Sequence, residues 1–348
     1  MSYLGNKFKW IGDSYMPIDL GIDLGTANTI IYDKKQGIIL NEPSMVVRSK
    51  KNGQVLAIGN EADEMIGRTP DGVQVIRPIR DGVITSFQGT VALLKHFIKK
   101  AAKSSIAKVR VVICVPCCIT EVERRAVTEA ARNAGAKEVY LIEEPLAAAI
   151  GSGIDISEPH GSMVVNVGAG ISEVAVISLG GIVVSHSVRT AGEAFDNAII
   201  QSIKKRYNMT IGDATAEQIK CNIGSVYFHK DSEKMEIKGG DLISGLLKTA
   251  VINSDEVRDA LKECAEEIVD AVKICLENTP PELAADIMES GIVLAGGGAK
   301  LKGLGRLINV STEIPVYISE APMECVATGA GKSIDSLIEM SRRQNRFI

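Results

Sequence analysis

The chain has 348 residues, of which 45% are hydrophobic, and this length predicts about two domains. A formal net charge of -4 excludes an overall basic field that would attract nucleic acid, so no nucleic-acid partner is predicted. The sequence shows no apolar run long enough to span a bilayer, no secretory leader and no second ligand pair that would complete a zinc site. We therefore expect a cytoplasmic protein whose seven cysteines are mostly buried, reduced thiols.

The first 16 residues mix aromatic and aliphatic side chains with lysines, and they allow two interpretations. The apolar residues are Tyr3, Leu4, Phe8, Trp10 and Ile11, and the interleaved lysines are Lys7 and Lys9. This mixture is typical of a short anchor that places rings at headgroup depth and lysines on anionic lipid. A disordered leader explains it equally well, because Gly5 and Gly12 weaken a helix.

A small-residue turn joins two apolar runs between Asp19 and Tyr32, and this pattern predicts a β-hairpin. The turn, residues 25–28, reads Gly-Thr-Ala-Asn. Its backbone N–H groups are suited to a phosphate, and Asp23 just before it is suited to a hydrated Mg2+. An ordinary hairpin turn is the alternative, since Gly and Asn are common in turns.

Strands and helices are then predicted to alternate. Residues 49–77 are polar and rich in turns, with a small helix near residues 60–66, and they predict an inserted subdomain. The elements predicted after it are the helix Thr90–Ala102, the strand Val109–Val115, the helix Thr120–Ala134 and the strand Val139–Ile142.

Two acids, Glu143 and Glu144, precede Pro145 at the start of the next predicted helix. Proline fits a first helical turn, and acids are favourable at the positive end of a helix, which is a sufficient structural reason for both carboxylates. The functional alternative is that one carboxylate orients a water molecule for attack.

A second hairpin at residues 161–178 repeats the plan of the first. An apolar strand leads to Asn166 and to a Gly-Ala-Gly tip at residues 168–170, and an alternating strand follows. Later, a strand runs from Gly291 into three glycines at residues 296–298. These features predict a duplicated domain that binds one nucleotide, with the hairpins on its phosphates and the last turn against its sugar and base.

The remaining patterns predict a second inserted subdomain and a helical C-terminal part. The predicted elements are the helix Gly192–Tyr207, a helix started by a capping box at residues 215–218, a strand at 235–239, a long helix at 256–277, a helix near 304–309, a strand at 316–318 and a helix from Gly329. The tail at residues 341–348 is basic and ends in Phe347 and Ile348, which fits either a lipid contact or a frayed terminus.

Eight stretches of the chain resemble the MreB family of bacterial actins, and the resemblance runs from Ile18 to about residue 335. They are DLGIDLGTANT (19–29), GRTPDGV (67–73), IRDGVI (79–84), VERRAV (122–127), IEEPLAAAIG (142–151), SEVAVISLGGIV (172–183), TPPELAADI (279–287) and LAGGGAKL (294–301). Hsp70 chaperones and sugar kinases share the hairpin pattern but not the other stretches.

The resemblance implies the actin-like α/β fold of the actin, Hsp70 and sugar-kinase ATPases, in which each of two lobes has a duplicated core and an inserted subdomain. After a leader at 1–16, the expected first lobe is 17–158 plus 325–348 with an insertion at about 44–77, and the second is 159–324 with an insertion at about 195–254. ATP or ADP with Mg2+ is expected in the cleft between the lobes.

The resemblance also implies partners and a location. Copies of the chain are expected to join head to tail into filaments, in antiparallel pairs and with related MreB paralogues. The filaments are expected on the anionic inner face of the cell membrane, where they would govern cell shape or carry out a related cytoskeletal task.

The resemblance assigns roles to individual residues. Asp23 and Asn166 are expected beside the metal, and Glu144 is expected to activate water with Glu143 as its neighbour. The residues expected to contact the nucleotide are Gly25, Thr26, Ala27, Asn28 and Thr29 in the first turn, Gly168, Ala169 and Gly170 in the second, Glu217, Gln218, Ile219 and Lys220 beside the nucleoside, and Gly296, Gly297, Gly298 and Ala299 on the adenosine side.

The second turn departs from the family pattern Asp-Ile-Gly-Gly-Gly-Thr-Thr. Asn166 replaces a carboxylate, Ala169 adds a methyl group where the backbone approaches phosphate, and Ile171 removes a hydroxyl that would help to place the attacking water. Ser172 keeps a hydroxyl, but neighbouring strand residues point to opposite faces. We therefore expect ATP binding with slow hydrolysis, because positioning and charge stabilisation dominate phosphoryl transfer.

Other functions stay open at this point. A small-metabolite kinase of the same fold would need a carboxylate base, which Asn166 weakens and Glu144 allows. A non-hydrolysing subunit that copolymerises with active relatives is a variant of the filament interpretation. A chaperone-like ATPase is disfavoured, because no peptide-binding region is recognised after the nucleotide-binding lobes.

Overall fold

The computed structural model describes residues 17–102, 108–228 and 232–344, which divide into two compact units. Unit 1 comprises Met1–Gly153 and Glu324–Ile348, and unit 2 comprises Ile154–Met323. The predictions made for the leader at residues 1–16 and for the end of the tail at residues 345–348 concern segments outside the described residues.

Unit 1 begins with a run of strands and alternates helices and strands from Phe87 onward, as its sequence pattern predicts. In chain order its elements are β1 Ile18–Leu24, β2 Asn28–Asp33, β3 Gly37–Pro43, β4 Val46–Ser49, β5 Val55–Ile58, α1 Asn60–Asp63, β6 Val73–Ile76, β7 Ile79–Arg80, β8 Val83–Ile84, α2 Phe87–Ala102, β9 Val109–Val115, α3 Glu121–Asn133, β10 Glu138–Glu143 and α4 Glu144–Gly151. Thr120 caps α3 in a reciprocal box with Glu123, so the predicted start of this helix is confirmed.

Unit 2 follows with a second series, after which the last helix returns to unit 1. The elements are β11 Ser162–Val167, β12 Ser172–Ser178, β13 Gly181–Val188, α5 Gly192–Tyr207, β14 Met209–Thr210, α6 Asp213–Ile223, β15 Lys234–Asp241, β16 Leu247–Asn253, α7 Ser254–Glu277, α8 Pro281–Ser290, β17 Ile292–Ala295, a 3-10 turn Gly297–Lys300, α9 Leu304–Thr312, β18 Val316–Ile318 and α10 Cys325–Gln344.

Each unit is built on a five-stranded sheet of the same topology. The strand orders are β10-β9-β1-β2-β3 in unit 1 and β18-β17-β11-β12-β13 in unit 2. In both sheets, three strands form an antiparallel meander, and two further strands run parallel to its first strand. The predicted internal duplication is therefore confirmed, and the carboxyl ends of three parallel strands meet at one edge of each sheet.

The segments predicted as insertions contain small sheets of their own. Strands β5-β4-β6 form one in unit 1, and β14-β15-β16 form the other in unit 2. The main sheets pack against helices through fully buried aromatic and aliphatic side chains, including Phe97 of α2 and Phe195 of α5. The chain passes from unit 1 to unit 2 at residues 153–154 and returns to unit 1 at residues 323–324.

Helix α10 joins unit 1 through backbone contacts that exclude side chains. A Cβ atom on Gly329 would lie 1.8 Å from the carbonyl oxygen of Ala147 in α4, and one on Gly151 would lie 1.8 Å from that of Cys325. On β1, a Cβ atom on Gly21 would lie 2.2 Å from the nitrogen of Gly331. The helix can approach this closely only because glycine has no side chain.

Three local predictions were wrong in detail. Helix α6 begins at Asp213, and the N–H group of Thr215 bonds to Gly212, so no capping box starts at residue 215. Helix α10 begins at Cys325 rather than Gly329 and continues to Gln344, so residues 341–344 are helical rather than frayed. Only Cys114, Cys275 and Cys325 are buried and Cys118 and Cys221 are exposed, so the cysteines are not mostly buried.

Strand β16 and helix α8 were not predicted from local patterns. Strand β16 exposes Leu247 and Val251, so it lacks the alternation of a strand with one polar face. Within the described ranges, no helix is both apolar enough and long enough to cross a bilayer.

Candidate nucleotide-binding site

The first hairpin turn is closed by its own backbone and braced from behind. The N–H group of Gly25 donates to the carbonyl of Asn28 over 3.1 Å, and a Cβ atom on Gly25 would lie 2.7 Å from that oxygen. Ser44, which follows β3, donates its hydroxyl to the carbonyl of Gly25 at 2.7 Å and its N–H group to that of Ala27 at 2.8 Å. Glycine at position 25 is therefore a steric requirement of the turn.

Thr29 also supports the turn from behind. It is fully buried, and its hydroxyl lies 2.8 Å from that of Ser44. Because the single Ser44 hydrogen is donated to Gly25, the Thr29 hydroxyl is the donor in this pair. Ser44 is a site residue that sequence reasoning missed. No motif marks it, and only the pairing of β2 with β3 brings it beside the turn.

A cavity in unit 1 of about 580 Å³ lies outside this turn and contains none of the predicted site residues. Its lining includes Glu42, whose buried carboxylate pairs with Lys100 and accepts the N–H group of Asn60 at 3.3 Å. These contacts tie β3 to α2 and α1, so we assign this region a structural role and do not include it in the candidate site.

Asp23 of β1, Glu143 at the end of β10 and Glu144 at the start of α4 lie at the carboxyl edge of the unit 1 sheet. Strands β1, β9 and β10 run parallel, so their ends bring these residues to the same edge. Burial raises the pKa of Asp23 to about 7. Glu143 accepts a hydrogen bond from Arg124 at 2.7 Å, whereas Glu144 opens α4 and stays the predicted water-orienting carboxylate.

The raised pKa of Asp23 predicts pH-dependent nucleotide binding in Mg2+. Below about pH 7 Asp23 is protonated, and Mg2+ must displace this proton to bind. The affinity for Mg·ATP should therefore fall roughly tenfold for each pH unit below about 7, and it should be constant above about pH 8. Titration of Mg·ATP between about pH 6 and 8.5 measures this.

Asp23→Asn is the matched control, because the protonation of ATP itself affects the binding of both proteins equally. It should bind more weakly and lack the extra slope, and identical slopes would contradict the prediction. The stability of the ligand-free protein should depend on pH in the opposite direction. A carboxyl whose folded pKa is raised loses its stabilising contribution as pH rises from about 4 to about 7.

The second turn has the same hydrogen-bond plan as the first. The N–H group of Gly168 donates to the carbonyl of Ile171 at 2.9 Å, and the hydroxyl of Ser172 donates to the carbonyl of Thr190, after β13, at 2.6 Å. Asn166 pairs across the hairpin with Glu173 as Asp23 pairs with Ile30, so Asn166 is the equivalent of Asp23. The buried Ser172 hydroxyl braces the turn and does not replace the one that Ile171 lacks.

Helix α5 begins against the second turn. The N–H groups of Gly192 and Glu193 donate to the carbonyls of Gly168 and Ala169 at 3.1 and 2.8 Å. The ammonium of Lys220 donates to the carbonyl of Gly192 at 3.1 Å, so α6 is tied to the start of α5. This contact holds the first turn of α5 against the predicted phosphate turn.

Lys220 also pairs with Asp196 of α5 at 2.8 Å. Burial raises the pKa of Asp196, and the charge of Lys220 opposes that shift. Of the other residues predicted beside the nucleoside, Glu217 and Gln218 are exposed on α6, whereas Ile219 is fully buried in the core of unit 2. The side chain of Ile219 therefore packs α6.

The triple-glycine turn packs on the end of β11. A Cβ atom on Gly296, which has φ +79, would lie 2.3 Å from the carbonyl oxygen of Val167, and one on Gly298 would lie 2.2 Å from the Val167 side chain. A Cβ atom added to Gly297 would have no neighbour within 4 Å, whereas Ala299 is buried. The triple-glycine turn thus contacts the second predicted phosphate turn, and Gly297 is its exposed residue.

This difference among the three glycines yields a prediction. Gly297→Ala should leave the melting temperature unchanged and weaken ATP binding about tenfold or more, because its methyl group lies where a nucleotide would contact the backbone. Gly298→Ala is the contrast variant and should lower the melting temperature. Unchanged ATP affinity of the Gly297→Ala protein in calorimetry would remove Gly297 from the site.

The residues present fit a hydrated Mg2+ carried by nucleotide phosphates. The described part of the chain has no group of three or more His, Cys, Asp or Glu side chains suited to a metal ion. Mg2+ usually keeps several waters and binds one or two carboxylates together with phosphate oxygens, so Asp23 alone would be enough as a protein ligand.

Comparison with known proteins shows which family the chain resembles. Residues 17–342 match the family model described as MreB/Mbl protein. The chain is 51% identical to the cell shape-determining protein MreB of Escherichia coli (strain K12), over 92% of this chain and 94% of that protein. It is 48% identical to the cell shape-determining protein Mbl of Bacillus subtilis (strain 168), over 94% and 98%.

A solved structure gives the same result for the fold. The crystal structure of MreB 5 of Spiroplasma citri bound to AMPPNP matches with a TM-score of 0.89 and 36% identity, over 94% of this chain and 99% of that one. The predicted actin-like α/β fold is therefore confirmed. With the family model matching nearly its whole length, the chain belongs to the MreB/Mbl family.

Proposed function

We propose that the chain is an ATP-binding, actin-like cytoskeletal protein that assembles head to tail into filaments governing cell shape or a related cytoskeletal task. The observation that carries the proposal is the pair of matching turns, each closed by a glycine N–H group and braced by a buried hydroxyl. Relatives named for cell-shape determination support the task, and the AMPPNP-bound structure supports an adenine nucleotide as ligand.

Each unit, taken by itself, carries residues that are suited to a nucleotide. Unit 1 supplies the turn at residues 25–29, with Asp23 for Mg2+ and Glu144 for orienting water. Unit 2 supplies the turn at 168–170 and the glycines at 296–298, which leave backbone N–H groups for phosphate and nucleoside. Mg2+, when bound, would neutralise charge on the phosphates.

Hydrolysis is proposed to be slow. Asn166 stands where Asp23 stands in the other repeat, so one carboxylate that could orient water beside the phosphates is missing. Ile171 has no hydroxyl, and the hydroxyl of Ser172 already donates a hydrogen bond to the carbonyl of Thr190. ATP would bind while its attacking water is poorly placed, and this supports a weak ATPase or a non-hydrolysing subunit that copolymerises with active relatives.

Sedimentation with ATP, ADP and no nucleotide, followed by electron microscopy of the pellets, tests the proposal. We expect filaments in the ATP pellet. A protein that binds ATP but stays in the supernatant at all concentrations would overturn it, and phosphate transfer from ATP to a small hydroxyl compound would favour the metabolite kinase instead.

We further propose that the filaments form antiparallel pairs, mix with MreB paralogues and lie on the inner face of the cell membrane. The exposed Arg342 and Arg343 at the end of α10 support contact with anionic lipid. Flotation with anionic liposomes should carry the filaments upward at low salt and less so at high salt. Equal flotation with neutral liposomes would contradict the electrostatic part of this proposal.

A further inference from the structure

One short segment of unit 2 holds the second predicted phosphate turn in place. It comprises residues 190–193, which follow β13, and we call it the holding segment. The carbonyl of Thr190 accepts the buried hydroxyl of Ser172 at 2.6 Å. The N–H groups of Gly192 and Glu193 donate to the first two carbonyls of the turn at 3.1 and 2.8 Å. All three bonds use the backbone of the holding segment, so the turn follows any shift of that backbone.

The holding segment also packs directly against the turn. A Cβ atom on Gly192 would lie 3.3 Å from the Cα atom of Ala169. This is closer than the separation of about 3.5–4.0 Å at which two carbon atoms attract best, so glycine permits the approach. A displacement of the holding segment therefore reaches the turn through packing as well as through hydrogen bonds.

Glu267 of α7 anchors the first residue of the holding segment. The hydroxyl of Thr190 donates to the carboxylate of Glu267 at 2.5 Å, and Thr190 is buried. Hydrogen bonds to a carboxylate are roughly twice as strong as those between neutral groups. The two residues lie 77 positions apart in the chain, so this contact ties together two distant segments of unit 2.

The backbone of α7 is itself fixed beside this contact. Ile268, which follows Glu267, is fully buried, and so is Val272 about one turn later. At its start, α7 is capped by a reciprocal box between Asn253 and Glu256. A capped helix of 24 residues with a buried face does not shift to follow one side chain. We therefore take α7 as the fixed partner that sets the position of Thr190.

A second anchor holds the holding segment near its other end. The ammonium of Lys220 on α6 donates to the carbonyl of Gly192 at 3.1 Å. Lys220 is one of the residues predicted beside the nucleoside, whereas Glu267 belongs to no motif of the predicted site. The holding segment is thus fixed by side chains from two different helices, and the sequence pattern pointed to only one of them.

We propose that Glu267 is a positioning residue for the nucleotide phosphates. Through Thr190 it fixes the holding segment, and with it the backbone N–H groups of the second turn. This inference rests on the proposed function, in which that turn contacts phosphate. Backbone N–H groups bind an anion best when they already converge on it, because a turn that must be ordered on binding costs affinity. Glu267 acts through Thr190 and does not itself contact the nucleotide.

Ligands with and without phosphate separate this role from a general loss of structure. In Glu267→Ala, the affinity for ATP should fall about tenfold or more, as expected for one lost hydrogen bond to a charged group. The affinity for adenosine, which has no phosphate, should be unchanged. Calorimetry measures the binding of ATP, and saturation-transfer NMR measures that of adenosine.

Three further variants show whether Glu267 acts through Thr190. Glu267→Gln keeps a hydrogen-bond acceptor and should retain most of the ATP affinity. Thr190→Val keeps a similar shape without the hydroxyl and should match Glu267→Ala. The combination of Thr190→Val and Glu267→Ala should bind no more weakly than either single variant, since both changes remove the same hydrogen bond.

The matched control is Glu263→Ala, at an exposed glutamate one turn earlier on α7. It should bind ATP like the unchanged chain. Hydrogen exchange of the nucleotide-free proteins tests the geometry directly. Peptides that cover residues 168–172 should exchange faster in Glu267→Ala than in the unchanged chain or the control, because the turn has lost a support.

Three results would overturn the proposal. They are an unchanged ATP affinity in Glu267→Ala, an equal loss of affinity for ATP and for adenosine, and a double variant whose loss is the sum of the two single losses. The second result would assign Glu267 to general stability, and the third would show that it acts independently of Thr190. An unchanged chain that binds no ATP would instead refute the proposed function, so the two failures are distinguishable.

Discussion

Changing Asn166 to Asp together with Ile171 to Thr should raise the rate of ATP hydrolysis by about 100-fold or more. The change would restore a carboxylate at the position equivalent to Asp23 and a hydroxyl at the tip of the second turn. Oriented groups of this kind each contribute roughly 100-fold or more to a chemical step, because they stabilise charge and position water without reorganisation. Single-turnover release of phosphate measures the step directly.

The control for this experiment is Ile171→Val, which shortens the side chain without adding a hydroxyl. It should leave hydrolysis slow, and Asn166→Asp alone should give part of the gain. A relative that keeps Asp and Thr at these positions provides the reference rate. The explanation fails if the unchanged chain releases phosphate as fast as that relative, or if the double variant is no faster than the unchanged chain.

Gly329→Ala should destabilise unit 1 by about 3 kcal/mol or more. Its Cβ atom would lie 1.8 Å from the carbonyl oxygen of Ala147 and 2.9 Å from the nitrogen of Gly151, and backbone atoms on α4 cannot rotate away. Helix propensity alone would favour alanine by about 1 kcal/mol, so a loss of stability isolates the contact between α10 and α4. Urea unfolding followed by circular dichroism measures it.

Gly72→Ala is the matched control, because an added Cβ atom there has no neighbour within 4 Å. It should shift the free energy of unfolding by no more than about 0.5 kcal/mol. If Gly329→Ala shifted it by no more than Gly72→Ala, α10 would not be held by backbone contact, and the return of the chain to unit 1 would need another explanation.

Local patterns predicted much of the fold, because the forces that they report act over a few residues. The capping box at Thr120 starts α3, and α5 has the predicted bounds Gly192–Tyr207. The pattern at residues 215–218 failed because Gly212 caps α6 three residues earlier, so the matching motif lies in the first turn of the helix without serving as a cap.

The equivalence of the two turns was also readable from the sequence. Gly25 and Gly168 stand at equivalent positions of two hairpins, and an internal repeat is visible without any tertiary information. The substitution of Asn166 for an acid was likewise apparent, since the family pattern shows which residue type to expect there. The fold class and the hypothesis of a nucleotide ligand followed from these features.

The amino-acid sequence by itself determined where the turns, strands and most helices form, because turn geometry, capping and apolar spacing depend on near neighbours. Only the tertiary structure decided that Ser44 braces Gly25, that Lys220 holds the start of α5, and that Gly329 meets α4. Each of these contacts joins segments far apart in the chain. Strand register and helix crossing set such contacts, and no local pattern encodes them.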